Sequence, residues 1–338
     1  MSAGLHAVAP GPAASIQDQG RPGYQRFGVT EGGAVDQMGH AAGAALLGQS
    51  PALASLEVAL FGGTYRSHDR PLWMTVTGAS MPCLVAGNGV ASGTVFRLPP
   101  RSEVEFGPVE SGTYSYVSVA GGWDVPEVLG SRSTHLRAGF GGYEGRTLRP
   151  GDLLPVGEVA EPPEVGRTLT PGAMKGPIRV VWALHAELFT AEARRQLVEG
   201  TFRVSAQRDR MGVRLETDRA MNSERTLILP SAPVVSGDLQ IPGDGMPMAL
   251  LADRQPTGGY PRIATIIRAD LGRVAQMPSG TEFRFEVVSG DEAQAAGAEY
   301  RRALLALPDR VRQPGADAAD LWDANLISGV TVGEEEPS

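Results

Sequence analysis

Glycine and proline interrupt this chain so often that none of its elements can run far. With 44 glycines and 26 prolines among 338 residues, the apolar residues fall into short alternating runs, as strands of a β-rich domain do. Strands are expected at 55–62 (SLEVALFG), 73–78 (WMTVTG), 102–107, 114–122, 178–183, 248–253 and 282–288, all of ordinary strand length. Helices are expected at 36–48, closed by Gly48, at 187–198, and at 290–306, where Asp291 and Glu292 suit a helix N-terminus. Between 157 and 177 no period is sustained and Pro162, Pro163, Pro171 and Pro177 intervene. This predicts an N-terminal half over 1–160, a linker over 161–177, a C-terminal half over 178–290, and a helical segment with an acidic tail over 291–338. The length suffices for two cores without disulfides or metals.

Several chemistries are disfavoured by what the chain lacks. Cys83 is the single cysteine, and in "GASMPCLVAG" it reads as a small buried apolar residue. The start, "MSAGLHAVAPGPAAS", has neither a basic stretch nor an apolar signal run, and no run approaches the roughly 20 apolar residues of a membrane span. A cytoplasmic protein without membrane contact is expected. The formal charge of −8, without a basic cluster, argues against nucleic acid. His6, His40, His68, His135 and His185 are scattered without ligand spacing, so no metal is expected.

Lysine-dependent chemistry rests on Lys175 alone, since the remaining basic residues are arginines. Lys175 precedes Gly176, which removes a P-loop and places any ATP contact at an unconventional site or on a partner. Its "AMKG" context is similar to that of a biotin-carrying lysine but lacks the flanking strand pair and tight hairpin, so no covalent biotin is expected on this chain. No Gly-x-Ser-x-Gly elbow lies between strand and helix, and "GFGGYEG" at 139–145 does not open a helix.

The polar loops remain. "SIQDQGRPGYQRFGVTEGGAVD" (15–36) is poor in core-forming side chains, and "LADRQPTGGYPRIATI" (251–266) echoes its Asp, Gln, paired small residues and Tyr. We expect the two loops to occupy corresponding places in two related barrels and to converge only across an interface with a partner. Further loops, "GSRST" (130–134), "GGYEGRTLRPGD" (141–152), "QRDRMGVRLE" (207–216) and "GDLQIPGDGMPMAL" (237–250), set arginines and carboxylates beside glycines. Such materials suit a small polar ligand with acidic and amide groups.

In this order and spacing, "QDQGRPGYQRFGV", "GGAVD", "GSRST", "GGYEGR", "DRMGVRLE", "LQIPGDGMP" and "ADRQPTGGYP" resemble the 5-oxoprolinase C-subunit family. That family is also called allophanate hydrolase subunit 2, or the antagonist of a sporulation-kinase inhibitor, and is similar to half of the carboxyltransferase domain of urea carboxylase. The resemblance covers about residues 5–295 and implies a mainly β, β-rich α+β fold of two cyclophilin-like β-barrel halves with a few helices. It implies a hetero-oligomer in which a near-obligate B-type partner has a related fold and an A-type partner is also present. The activity it implies for that assembly is ATP-dependent opening of 5-oxoproline to glutamate. For that ligand, Arg21 or Arg210 would grip the carboxylate, Asp36 or Asp253 would accept the lactam N–H as catalytic carboxylates, and Gln240 or Gln255 would meet the carbonyl. Arg132 and Tyr260 lie in the same loops as substrate-binding candidates.

The chain departs from the family pattern at "WALHAELF", where Gly-Pro-Gln is usual, and at Ala232, Pro233, Asp238 and Pro256. These departures keep two alternatives open: a carboxyltransferase-type chain acting on urea or another small amide in a biotin-linked system, or a non-catalytic regulator that binds the B-type partner and relieves its inhibition of a kinase.

Overall fold

The computed structural model describes residues 3–159, 161–170, 172, 175–221 and 229–314. Strands dominate; each of the seven expected segments holds one, while others, such as Gly4–Pro10, Phe202–Arg208 and Arg262–Ile266, were not expected. In the first half a six-stranded sheet runs in the order Leu153–Pro155, Gly4–Pro10, Phe61–Ser67, Glu103–Pro108, Cys83–Val85, Asn88–Val90. A five-stranded sheet runs Ser15–Gln17, Ser55–Ala59, Ser111–Val119, Leu72–Ser80, Phe96–Leu98. The expected strand at 55–62 is in fact the hand-over between them. Leu60 takes φ 64 and turns the chain from one sheet into the other. Alternate residues of both sheets, among them Leu5, Ile16, Val58, Tyr65, Met74, Val104, Phe106 and Val117, face each other around Trp123 as one core. Cys83 lies in this core, where burial pushes its thiol up to about 12.

The second half holds a two-stranded sheet, Ala232–Pro233 with Thr257–Gly258, and is built on one eight-stranded sheet, ordered Glu282–Phe283, Phe202–Arg208, Gly212–Glu216, Met248–Leu250, Asp238–Gln240, Arg262–Ile266, Ile178–Trp182, Phe285–Val287. The two edge strands of the larger sheet are separated in sequence by Arg284 alone, so that sheet curls until its ends nearly meet and encloses a core as a barrel does. The mainly β, two-half architecture expected from the sequence is the one observed.

Four α-helices complete the fold: α1 (Gln37–Leu46), α2 (Ala191–Glu199), α3 (Arg268–Gln276) and α4 (Gly290–Leu305). The 36–48, 187–198 and 290–306 segments correspond to α1, α2 and α4. α3 was not expected. It spans nine residues, has no side-chain N-cap bond and holds Gly272 near its middle, so it gives little sequence signal.

The halves are not separate bodies. The core of the second half includes Ala34, Val35, Tyr114 and Tyr116 from the first. The supposed linker is also tied down: Gly166 donates to Val95 O, Val95 to Arg167 O and Leu169 to Gly93 O, while Thr168 pairs with both Thr94 and Arg312. Leu169 and Leu307 share a buried cluster with Ala42, Leu46 and Val95, so the chain after α4 returns to the first half. The acidic tail lies outside the described residues. Among the described residues no helix is long and apolar enough to cross a membrane.

Candidate functional site

Both echoing loops follow a strand, Ser15–Gln17 and Met248–Leu250, and they meet inside this one chain. This corrects the expectation that they converge only across a partner interface. Gln25 of the first loop donates to Val234 O (2.7 Å) and Pro256 O (3.2 Å) of the second half, and its Oε1 accepts from Arg254 Nη2 at 3.0 Å. A Cβ built on Gly32 would lie 3.3 Å from Arg21 Nη1 and 3.8 Å from Asp253 Oδ1, so Arg21 and Asp253 approach the same glycine from opposite halves.

Arg210 is the hub. Its Nε donates to Asp253 Oδ2 (2.9 Å) and its Nη2 to Asp253 Oδ1 (3.0 Å), while Nη1 pairs with Glu57 and Nη2 also reaches Gly33 O (2.7 Å). Arg210, Glu57 and Asp253 are all buried. Burial alone would lower the Arg210 pKa, but the Asp253 and Glu57 charges outweigh it and hold the guanidinium far above its ordinary value. One fork thus joins a strand of the first half, a loop of the first half and a loop of the second. Asp253 is paired with Arg210, not with its sequence neighbours Arg254 or Arg262. Arg262 instead pairs with Asp238 at 3.1 Å, so the departure at Asp238 arrives with its own counter-charge.

Arg21 lies in the first loop between Gly20 and Pro22. It is 1% exposed. Its guanidinium lies 5.0 Å from the centre of the Phe140 ring, Nε donates to Val128 O (3.4 Å) and Nη2 to Ser133 O, and Nη1 is buried without a protein partner. Arg254 repeats the pattern. It is also 1% exposed, Nε donates to Val234 O (3.1 Å), and its Nη1 too is buried and unpartnered. Desolvation lowers both guanidinium pKa values, opposed by Asp18 and Asp253 for Arg21 and by Glu31 and Asp238 for Arg254. A buried cation with an unused donor costs free energy unless something accepts from it.

The glutamines stand beside this pair. Gln255 Nε2 donates to Gln240 Oε1 at 3.1 Å, and the buried Gln240 Nε2 has no partner. Of the candidates named from sequence, the structure therefore gathers Arg21, Arg210, Asp253, Gln240 and Gln255 around the meeting of the two loops. It does not gather the other three. Asp36 caps α1, accepting from Met38 N (3.0 Å) and Gly39 N (3.2 Å) through Oδ1 and from Gln276 Nε2 (2.9 Å) through Oδ2. Arg132 turns its side chain to Glu127 (2.5 Å) and offers only its backbone N–H to Asp18. Tyr260 is 53% exposed.

Two members escaped sequence reading. Glu57 sits within an alternating strand, where only its charge among apolar neighbours marks it. His135 directly follows "GSRST". It is buried, stacks on Phe140 (5.1 Å, 28°), contacts Thr30 Oγ1 at 3.0 Å and feels the charges of Asp253, Arg21 and Arg210. Desolvation leads in lowering its pKa, which favours a neutral ring.

Fold and site together define a two-half β protein whose halves close on a buried arginine–carboxylate centre, where Arg21 Nη1, Arg254 Nη1 and Gln240 Nε2 have no partner among the described residues. Residues 27–287 match the family model for the carboxyltransferase domain, subdomain A and B, and the chain belongs to that family. It is 33% identical over 301 residues to the 5-oxoprolinase C-subunit of Haemophilus influenzae, covering 89% of this chain and 95% of that protein. The 5-oxoprolinase C-subunit of Escherichia coli is likewise 33% identical, covering 88% of this chain and 96% of that protein. The crystal structure of Kluyveromyces lactis urea carboxylase superposes with TM-score 0.82 at 24% identity, over 92% of this chain but 30% of that one, and shares the fold.

Proposed function

We propose that the chain is the C-subunit of an ATP-dependent 5-oxoprolinase, opening 5-oxoproline to L-glutamate together with A-type and B-type partners in the cytoplasm. The observation that carries this reading is the set of buried donors on Arg21, Arg254 and Gln240 that have no partner among the described residues, at the meeting of the two loops that also holds Asp253. A ligand with a carboxylate and a lactam supplies what that set lacks. Arg21 Nη1 or Arg254 Nη1 donates to the ligand carboxylate, Gln240 Nε2 donates to the lactam carbonyl, and Asp253 accepts the lactam N–H. Arg210 fixes the Asp253 carboxylate through both oxygens and leaves it lone pairs for the ligand. His135, neutral and close to Asp253, is the group suited to receive a proton. ATP is bound by a partner in this reading, consistent with the lack of a P-loop. Relatives named as the C-subunit of 5-oxoprolinase, matched over nearly their whole length, support it.

The test is to purify the chain with its B-type partner, add the A-type partner, and measure ATP-dependent formation of glutamate from 5-oxoproline. Turnover that requires all three supports the proposal. An assembled complex that consumes urea instead, or that forms without any amide turnover, overturns it in favour of the urea-type or regulatory reading.

A further inference from the structure

Far from the loop junction, the solvent face of the six-stranded sheet carries a second collection of charged and titratable groups. The register sets His6 opposite Arg66 and Arg66 opposite Glu103, so the three form a row across neighbouring strands. His68, two residues beyond Arg66, continues on the same face. The next loop adds Asp69, and Arg101 N donates to His68 O (3.0 Å) with Arg101 at φ 58, which swings its side chain over the row. His6, Arg66, His68, Asp69 and Arg101 line an open cleft of about 450 Å³.

The hydrogen bonding inside the cleft is asymmetric. Arg66 spends Nε and Nη2 on one oxygen of Glu103, and Arg101 spends Nε and Nη2 on one oxygen of Asp69. The Nη1 of each guanidinium has no partner among the described residues. His6 Nε2 and His68 Nδ1 lie 2.9 Å apart, a contact that needs one ring to donate and the other to accept. His68 Nε2 lies 3.4 Å from Asp69 Oδ2, which favours a proton on Nε2 and leaves Nδ1 as the acceptor. An added proton on His6 Nδ1 leaves that contact intact and makes the pair cationic.

We propose that this cleft binds a phosphate group, held by Arg66 and Arg101 and accompanied by uptake of a proton by the His6–His68 pair. Asp69 and Glu103 neutralise the two arginines in the empty state, so the extra proton supplies the net positive charge that an oxyanion needs. Phosphate binding and protonation of the pair are therefore linked, and each favours the other. The site is independent of the loop junction and of the activity proposed for it.

The experiment is calorimetric titration of inorganic phosphate into the full chain at pH 6 and pH 8, with ATP as a second arm. The expected result is one saturable site at pH 6, at least tenfold weaker at pH 8, lost in Arg101→Ala and in His68→Gln but kept in Arg132→Ala. Both cleft residues are partly or largely exposed, so melting temperatures should match the parent and confirm folding. ATP competing for the site with higher affinity identifies a nucleotide as the source of the phosphate; phosphate alone binding identifies the free ion. Absence of saturable binding at pH 6, equal binding at both pH values, or binding unchanged in Arg101→Ala overturns the proposal.

Discussion

Removing Arg210 would leave Glu57 and Asp253 buried without a counter-charge. Breaking a buried ion pair from one side typically costs about 3–5 kcal/mol, so Arg210→Ala should lower the urea midpoint by a corresponding amount. Arg210→Lys should not rescue it, because a single ammonium cannot reproduce a fork that reaches two carboxylates and Gly33 O. Chemical denaturation of both variants checks this, and a parent-like midpoint for Arg210→Ala would mean the network is not holding the halves. Arg21 calls for a different variant, since its truncation removes packing against Phe140 as well as a donor. Gly32→Ala leaves Arg21 in place and sets a methyl beside its unused Nη1. With Gly32 at φ 61 the substitution should cost about 1–2 kcal/mol in stability, and 5-oxoproline affinity in the assembled complex should fall tenfold or more. Affinity unchanged by the methyl would place the ligand elsewhere. The family resemblance, laid over glycine-rich loops that carry arginines and acids, pointed to Arg21, Arg210, Asp253, Gln240 and Gln255. Burial was not legible there. Nothing local shows that a Gly-Arg-Pro loop will be covered by Phe140 and Ser133, which come from more than a hundred residues away.

At the scale of elements, the strands were readable because alternation is a local property, while the helix that docks the halves was not. α3 ends in Gln276, whose carboxamide is used fully: Nε2 donates to Asp36 Oδ2 (2.9 Å) and Tyr114 O (2.8 Å), and Oε1 accepts from Thr113 N (2.9 Å) and Tyr114 N (3.0 Å). One side chain of the second half thus completes a strand and a helix cap of the first. Gln276→Ala leaves two strand N–H groups without an acceptor, at roughly 1–3 kcal/mol for each one that water does not reach. We expect a loss of about 2–4 kcal/mol, read by thermal or urea unfolding; a loss below 1 kcal/mol would show that water substitutes. Asp36 belongs to the same joint. The family resemblance offered it as a catalytic carboxylate, but "GGAVDQMG" also reads as a loop closing on an N-cap, and the structure uses it so. Asp36→Ala should cost about 1 kcal/mol for the cap, with further loss from the orphaned Gln276 donor.

For the whole molecule, the division at residues 161–177 is a division of topology and not of stability, since core, ion network and cap all cross it. Local responses to pH are therefore felt by one cooperative unit. His40, His135 and His185 all have lowered pKa values, with desolvation the leading cause in each. A histidine lowered in the folded state binds fewer protons there than in the unfolded chain. Its stabilising contribution is complete above its ordinary value of about 6.5 and is lost as pH falls below it, by up to about 1.4 kcal/mol per pH unit for a group that cannot charge while folded. His40 is the strongest case: it is fully buried, with Nε2 2.8 Å from Pro51 O and Nδ1 2.9 Å from Ser55 Oγ. Asp36 has the opposite sign, because desolvation raises its pKa and the folded state binds its proton more readily than the unfolded chain. It offsets part of the loss as pH approaches the carboxylate range. Asp152, held down by Arg146, and Asp270, held down chiefly by Arg179 against desolvation, contribute again only below about pH 4, where their protonation removes ion pairs. Stability should therefore be flat from pH 8 to 7, fall from about 6.5 to 5, level as Asp36 takes up its proton, and fall again below 4. Urea midpoints across pH 8 to 3.5 give the profile. His40→Gln should start lower at pH 7, having lost an imidazole bridge, yet descend less steeply between pH 6.5 and 5. A descent as steep as the parent's would remove His40 as its source and leave His135, in the proposed site, and His185 as the groups that set the acid limit.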